Sequence, residues 1–476
     1  MSNPSHTPLS SSAVKPATLG QLRASGYRSL SIKDEMRQNL MRKMRAGEEL
    51  FPGIVGYEET VIPQVENAIL SGQDIVLLGE RGQAKTRIAR SLVNLLDDEV
   101  PAIAGCEIND DPFNPLCKAC HLRIAEEGDE TPIHWIGRDQ RYGEKLATPD
   151  ITIADLVGEV DPIKVAEGRY LSDELTIHYG IIPRTHRGIF CINELPDLAE
   201  RIQVGLLNIM EERDVQIRGY KVRLPLDVFV VASANPEDYT NRGRIITPLK
   251  DRLGSEIRTH YPRTIEDEIT IMEAESRPFE LEGIETTYPQ FMKEIVAEIT
   301  HQARRSSDIS QKSGVSVRVT VSNFENVMSN AVRRAIRLKE RQAAPRVSDL
   351  SAVVASTAGK IELDTVGEVR EEKIVEKLVR QSINKVFRDY FEVAEFEQLV
   401  AGFDKGLSVQ VSDTQPSMEY VNQLARVGGL KAAVAKLGGH GSPATVASAV
   451  EFILEGLHLN KRLNKDEVAG QTRYRR

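Results

Sequence analysis

Leu77-Leu78-Gly79-Glu80-Arg81-Gly82-Gln83-Ala84-Lys85-Thr86 is the stretch on which the reading of this chain turns. Ahead of it, Asp74-Ile75-Val76-Leu77-Leu78 is a short apolar run of the kind that forms a buried strand. Behind it, Arg87 to Leu96 carries apolar residues at helical spacing. Strand, glycine-bearing loop and helix in that order make a phosphate-binding loop. The backbone N–H groups of Gly79, Glu80, Arg81, Gly82, Gln83 and Ala84, with the N-terminus of the helix, would form a concave anion site. Lys85 would reach the β- and γ-phosphates of a nucleotide, and the Thr86 hydroxyl would coordinate Mg²⁺. The usual pattern has Gly before the Lys; here it is Ala84.

Working outward, Gly188-Ile189-Phe190-Cys191-Ile192-Asn193-Glu194 reads as a second buried strand, and Leu198 to Glu212 as an amphipathic helix. Val215 to Leu224 alternates about a central Gly219, the mark of a hairpin. Val228 to Ser233 is a third buried strand, ending at Ala234-Asn235-Pro236. Strands alternating with helices predict an α/β fold, a parallel sheet with helices on both faces. Hydrolysis of a phosphoanhydride needs the phosphates held, a metal held, a water oriented and charge neutralised. Glu194, at a strand end, is placed to polarise the water. Asn193 stands where an Asp usually holds the Mg²⁺ hydration shell; its amide can accept from a water but brings no charge. Asn235 can touch the γ-phosphate or the water. Arg252, in Leu249-Lys250-Asp251-Arg252-Leu253-Gly254, is the candidate arginine finger, with an intramolecular salt bridge as the competing reading. A finger acting in trans requires a ring or other oligomer.

Four cysteines occur in 476 residues. Cys106, Cys117 and Cys120 follow C-x10-C-x2-C, with His121 next and His134 farther on. Three thiolates and one imidazole would complete a tetrahedral Zn²⁺ site; three free thiols in a loop is the alternative. Cys191 reads as a small core residue.

The length predicts two or three domains, and a hydrophobic fraction of 41% can supply their cores. A net charge of -9 argues against a general nucleic-acid binder. No apolar run approaches the roughly 20 residues of a membrane span, and the N-terminus lacks an apolar signal core. The expected location is the cytoplasm, with thiols reduced. Residues 1–24 read as a disordered lead-in, 25–262 as the α/β core with a cysteine-bearing insertion over about 100–148, 263–358 as a helical lid, and 359–476 as an additional, mostly helical domain. Ile151 to Val160 reads as helical, and the basic tail from Lys461 as solvated.

Gly79 to Thr86, Gly188 to Leu195, the Val215–Leu224 hairpin, Ala234-Asn235-Pro236 and Leu249 to Gly254 together resemble an AAA+ ATPase, and within it the clade of the magnesium chelatase ATPase subunit and the MoxR-type ATPases. The resemblance covers roughly residues 45 to 355. It implies an Mg²⁺-dependent ATPase that forms a homo-oligomer, a hexameric ring, and remodels a partner protein bearing a von Willebrand A-type domain. It makes Arg318 the lid residue that senses nucleotide, with Arg333 and Arg334 competing. It also places Phe51 to Gly56 over the adenine. Magnesium insertion into a porphyrin is the narrower alternative. A nucleotide-gated scaffold with little hydrolysis is a rival that Ala84 and Asn193 favour. An enhancer-binding activator is disfavoured, because the Gly-Ala-Phe-Thr-Gly-Ala insertion is absent.

Overall fold

The computed structural model describes residues 15–166, 173–211, 214–217, 220–236, 244–279, 282–311, 313–363, 371–427, 429–439, 441–468 and 471–476. It divides into two compact units, Met1–Glu80 with Ala84–His260, and Arg81–Gln83 with Tyr261–Arg476.

The first unit is built on five parallel strands: β1 (Ile75–Leu78), β2 (Tyr142–Leu146), β3 (Gly188–Asn193), β4 (Val228–Ala234) and β5 (Ser255–Arg258). Their order across the sheet is β5-β1-β4-β3-β2. Alternation of side chains along a strand sends Ile75, Leu77, Ile189, Cys191, Phe229 and Val231 to one face. There they pack on the helices Ile32–Ala46, Val61–Leu70 and Lys85–Ser91. Val76, Leu78, Phe190, Ile192, Ala232 and Ala234 point to the other face, against Glu200–Glu211 and Thr247–Arg252. Both faces are covered, so the central strands read as continuous apolar runs. The predicted hairpin forms, with strands Asp214–Ile217 and Tyr220–Arg223.

Three expectations for this unit are corrected. Residues 15–24 are ordered: Thr18 caps the helix Leu19–Ala24, whose Leu19 and Leu22 are fully buried, and Trp135 Nε1 donates to the Pro16 carbonyl at 3.0 Å. The two leucines anchor this polar segment together with main-chain bonds from Leu19 N–H to the Thr131 carbonyl and from Ile133 N–H to the Ala17 carbonyl, each 2.9 Å. The rest of the lead-in, 1–14, lies outside the described residues. The stretch 100–148 is no separate insertion throughout. Glu99–Ile103 pairs antiparallel with Ile133–Gly137, and Tyr142–Leu146 is an edge strand of the main sheet. That strand, Tyr142-Gly143-Glu144-Lys145-Leu146, is only half-buried and so carries no apolar signature. Finally, only Ile153–Val157 is helical. Gly158, at φ +121°, turns the chain into Gly158–Val160, which pairs with Ile177–Tyr179.

In the second unit the helices Ile265–Glu275, Gln290–Arg305, Val317–Leu338, Glu371–Tyr390 and Pro443–Leu459 contribute to one hydrophobic core. The described residues of 263–358 and of 359–476 share that core, where the sequence suggests a separate lid and appended domain. The basic tail is not merely solvated: Asn464–Val468 and Gln471–Arg475 form an antiparallel pair, extended by Val409–Val411, and Tyr474 on the second of these strands is buried.

Glu268 is fully buried in this unit. Arg304 grips it with two bonds of 2.8 and 3.1 Å, and Thr320 Oγ1 donates to it at 2.5 Å. Burial alone would raise this carboxyl; His301, the Arg304 guanidinium and the Thr320 hydroxyl outweigh burial and hold it below the usual carboxylate range. A carboxyl whose folded pKa is depressed contributes stability above its unfolded value and loses it as pH falls through the folded one. Arg304→Ala should therefore cost about 3 kcal/mol at neutral pH. That cost should shrink in acid, once Glu268 is protonated and needs no cation. Denaturant midpoints of both proteins across the acid range check this; a pH-independent difference would refute it.

Candidate active site

In open α/β sheets ligands bind beyond the carboxyl ends of the strands. Here the ends of β1, β4 and β3 are adjacent, with Leu78 beside Ala234 and Ala232 beside Ile192. Lys85 opens the helix Lys85–Ser91 and is only 7% exposed. Its Nζ donates to the Gly79 carbonyl, to the Glu80 carbonyl at 2.9 Å and to Asn235 Oδ1 at 2.8 Å. Asn235 Nδ2 in turn donates to Glu194 Oε2 at 2.7 Å. One amide thus holds both the cation of the loop and the carboxylate of the neighbouring strand.

A second set of bonds continues from Glu194. Its backbone N–H donates to Ser233 Oγ, and Ser233 Oγ donates to Asn193 Oδ1, each at 3.2 Å. Asn193 Nδ2 donates to Glu144 Oε1 at 2.7 Å. Arg90 then binds Glu144 through Nε and Nη2 at 2.8 and 3.1 Å. Burial works to raise the Glu144 carboxyl, but the Arg90 bonds and charge outweigh it and leave it below the usual range. Cys191, fully buried on β3, has its thiol pushed up to about 12 by burial and stays protonated, as a core residue should.

The backbone is left-handed at three places around this network: Gly82 (φ +77°), Ala84 (φ +54°) and Glu194 (φ +57°). Glycine adopts that region freely; Ala84 and Glu194 do so at a cost of about 1 kcal/mol each.

The remaining sequence candidates fall as follows. Thr86 is half-buried in the first turn of its helix. Arg252 ends the helix Thr247–Arg252 with its side chain exposed. Arg318 is exposed in the first turn of Val317–Leu338, in the second unit. Of its competitors, Arg334 is buried and committed to an ion pair with Asp349 and a 2.7 Å bond to the Ala344 carbonyl. Cys106, Cys117 and Cys120 do converge, but the group beside them is Asp110: the three Sγ atoms and a carboxylate oxygen lie within 4.8 Å of one another. The expected histidines are not part of this cluster. His121 faces solvent one turn into the helix Lys118–Glu127, and His134 lies on the Ile133–Gly137 strand. A cavity of about 820 Å³ in this unit is lined by Phe190, Ile192 and the segment 27–31, and by none of Lys85, Glu194 or Asn235.

Sequence reasoning missed Glu144, Ser233 and Asp110. Glu144 was hidden in a stretch without periodicity. Ser233 was open to view at a strand end, whereas Asp110 lies in a loop rich in aspartates, where only burial singles it out.

No protein-family model matches the chain. It is 24% identical to magnesium-chelatase subunit ChlI-1 of Arabidopsis thaliana over 233 residues, 48% of this chain and 51% of that protein. With the magnesium-chelatase subunit ChlI of Oryza sativa subsp. indica it shares 26% over 243 residues, 48% of this chain and 52% of that protein. In sequence the chain is similar to AAA+ proteins of the magnesium chelatase/MoxR clade. The chain spans about half the length of the curated relatives it matches. Among solved structures, a reconstruction of the BchI–BchD complex of magnesium chelatase aligns over 68% of this chain and 98% of that one, at 17% identity and a TM-score of 0.37.

The left-handed alanine gives a direct test. Ala84→Gly removes the clash of Cβ with the following carbonyl and should raise stability by about 0.5–1 kcal/mol. A higher thermal midpoint is expected, and an equal fall would show that the position carries no strain.

Proposed function

We propose that this chain is an Mg²⁺-dependent ATPase whose hydrolytic centre is the Lys85–Asn235–Glu194 network. The observation that carries the reading is Asn235, hydrogen-bonded at once to the loop cation and to the strand carboxylate. A γ-phosphate arriving beside Lys85 competes for that ammonium, and the pull passes through one amide to Glu194. Glu194 then serves as the base that takes a proton from the attacking water. The backbone N–H groups from Gly79 to Ala84 cradle the phosphates.

Mg²⁺ would neutralise charge that develops on the phosphate oxygens. The groups placed to hold it are the Thr86 hydroxyl and, through water, Asn193 with the Glu144 carboxylate beside it. This set is all oxygen, the donor chemistry Mg²⁺ prefers. We assign to Glu144 the negative charge that Asn193 does not bring. Arg252, exposed on the first unit, is the proposed finger acting on a neighbour's nucleotide in a ring, and Arg318 the proposed sensor. The partner is read as a protein with a von Willebrand A-type domain, remodelled or loaded with metal by the ring, in the cytoplasm. Among the described residues no helix is long and apolar enough to cross a membrane.

The neutral amide of Asn193 favours a second reading, a scaffold that binds ATP and turns it over little.

Lys85→Ala should abolish ATP binding by calorimetry. Glu194→Gln should keep binding and lose hydrolysis by roughly 100-fold or more. Mixed with inactive Arg252→Ala subunits, it should regain part of the activity, since one kind of mixed interface pairs an intact base with an intact finger. ATP binding undiminished in Lys85→Ala would overturn the site. A wild-type rate no higher than that of Glu194→Gln would favour the scaffold.

The charge assignment has its own test in the Mg²⁺ dependence of the ATPase. Glu144→Gln should raise the Mg²⁺ concentration needed for half-activity. Asn193→Asp in that background should restore it by returning the charge one strand over. If Glu144→Gln leaves the Mg²⁺ dependence unchanged, Glu144 only anchors Arg90.

A further inference from the structure

We propose that Cys106, Asp110, Cys117 and Cys120 are the four ligands of a structural Zn²⁺ ion that holds the 104–117 loop onto the first unit. This site is independent of the nucleotide network.

The sequence supplies the donors as C-x3-D-x6-C-x2-C. The fold brings all four ligand atoms within 4.8 Å of one another. Tetrahedral Zn–S bonds of ~2.3 Å set the sulfurs ~3.8 Å apart. The Cys106 and Cys117 sulfurs stand 4.0 Å apart. That is near the separation a shared ion requires and well beyond a disulfide bond.

Packing of free thiols as small apolar groups accounts for part of this picture: Cys117 and Cys120 are 4% and 3% exposed, within the same core as Ile177 and Tyr179. It does not account for Asp110. This carboxylate is fully buried among the thiols. One oxygen, Oδ2, accepts the Cys117 N–H at 2.9 Å, while Oδ1 has no hydrogen-bond partner. A bare buried carboxylate oxygen is costly, and a cation held by the adjoining sulfurs removes the cost.

The surroundings suit thiolates. The Asp110 N–H donates to Cys106 Sγ and the Cys120 N–H to Cys117 Sγ, both at 3.4 Å. Such outer hydrogen bonds orient ligands and spread their charge. Three sulfurs and one oxygen exclude Mg²⁺ and Ca²⁺ and match Zn²⁺. Four protein ligands leave no open position, so the ion is structural and not catalytic.

The staple has a defined load. Cys117 caps the helix Lys118–Glu127, and Asp111, Phe113, Asn114 and Leu116 of the same loop form one wall of the 820 Å³ cavity beside Phe190 and Ile192. Four ligand positions within fifteen residues fix that wall, where the chain otherwise has only short turns.

The full chain, purified without chelator, should carry one zinc per chain by elemental analysis. Strong chelation should remove it and lower the thermal midpoint, and added Zn²⁺ should restore both. Cobalt in its place should show thiolate-to-metal charge transfer. Asp110→Asn should bind Zn²⁺ roughly 10-fold or more weakly; His121→Ala should bind it as the wild type does. A metal-free chain whose midpoint is indifferent to chelator and to added Zn²⁺ would overturn the site. So would stoichiometric iron in place of zinc, or zinc loss in His121→Ala with retention in Asp110→Asn. None of these readouts involves nucleotide, so failure here and failure of the ATPase reading are told apart.

Discussion

A buried ammonium sets the terms for the first unit. Removing Lys85 from water without partners would cost several kcal/mol, so every donor it has must find an oxygen. Two of those oxygens are main-chain carbonyls of its own loop, Gly79 and Glu80, which requires the loop to fold back over the helix start. The third comes from Asn235, which requires β4 to lie beside β1. Apolar alternation makes the sheet, and the lysine makes its carboxyl edge polar at one point. A ligand that offers phosphate oxygens would replace these acceptors one for one.

That arrangement draws on strain. Ala84 and Glu194 both sit in left-handed backbone that a side chain disfavours; Ala84 caps the helix that Lys85 opens, and Glu194 directly follows β3, where chemistry is proposed. The pattern of departures is consistent. The general phosphate-loop pattern has a glycine where this chain has Ala84, and Asn193 stands at a strand end where an aspartate commonly holds the metal. The second departure leaves an amide that donates to Glu144 on the next strand, so negative charge persists within one hydrogen bond of the position that lacks it. Arg90 in turn pairs with that charge.

The fold of the first unit was legible because its central strands are covered on both faces. Ile75 to Leu78, Gly188 to Asn193 and Val228 to Ala234 announce themselves as apolar runs, and the loop between Leu78 and Lys85 orients them. Lys85, Asn193, Glu194 and Asn235 followed, since each stands next to one of those runs. What lay hidden was half-buried. The edge strand Tyr142–Leu146 has no burial pattern to betray it, and Glu144 was lost with it. Asp110 was missed because an aspartate in a loop rich in aspartates carries no signal until its burial is known. In the second unit helices were legible but their grouping was not, because one core or two depends on which apolar faces meet, and periodicity is silent on partners.

Buried carboxylates with both oxygens answered occur in both units, as Glu35 with Arg141 shows in the first, and Asp110 departs from that rule. Glu268, Asp349 and Glu451 of the second unit are each within a few per cent of full burial, and both oxygens of each accept from protein donors. Arg304, Arg334, Tyr420 and backbone N–H groups answer them completely, so these groups fix how helices pack and have nothing left to offer a ligand. Asp110 in the first unit is buried as deeply with one oxygen unanswered, and three sulfurs stand around it. A hydrogen-bond count of this kind discriminates where burial and charge alone do not.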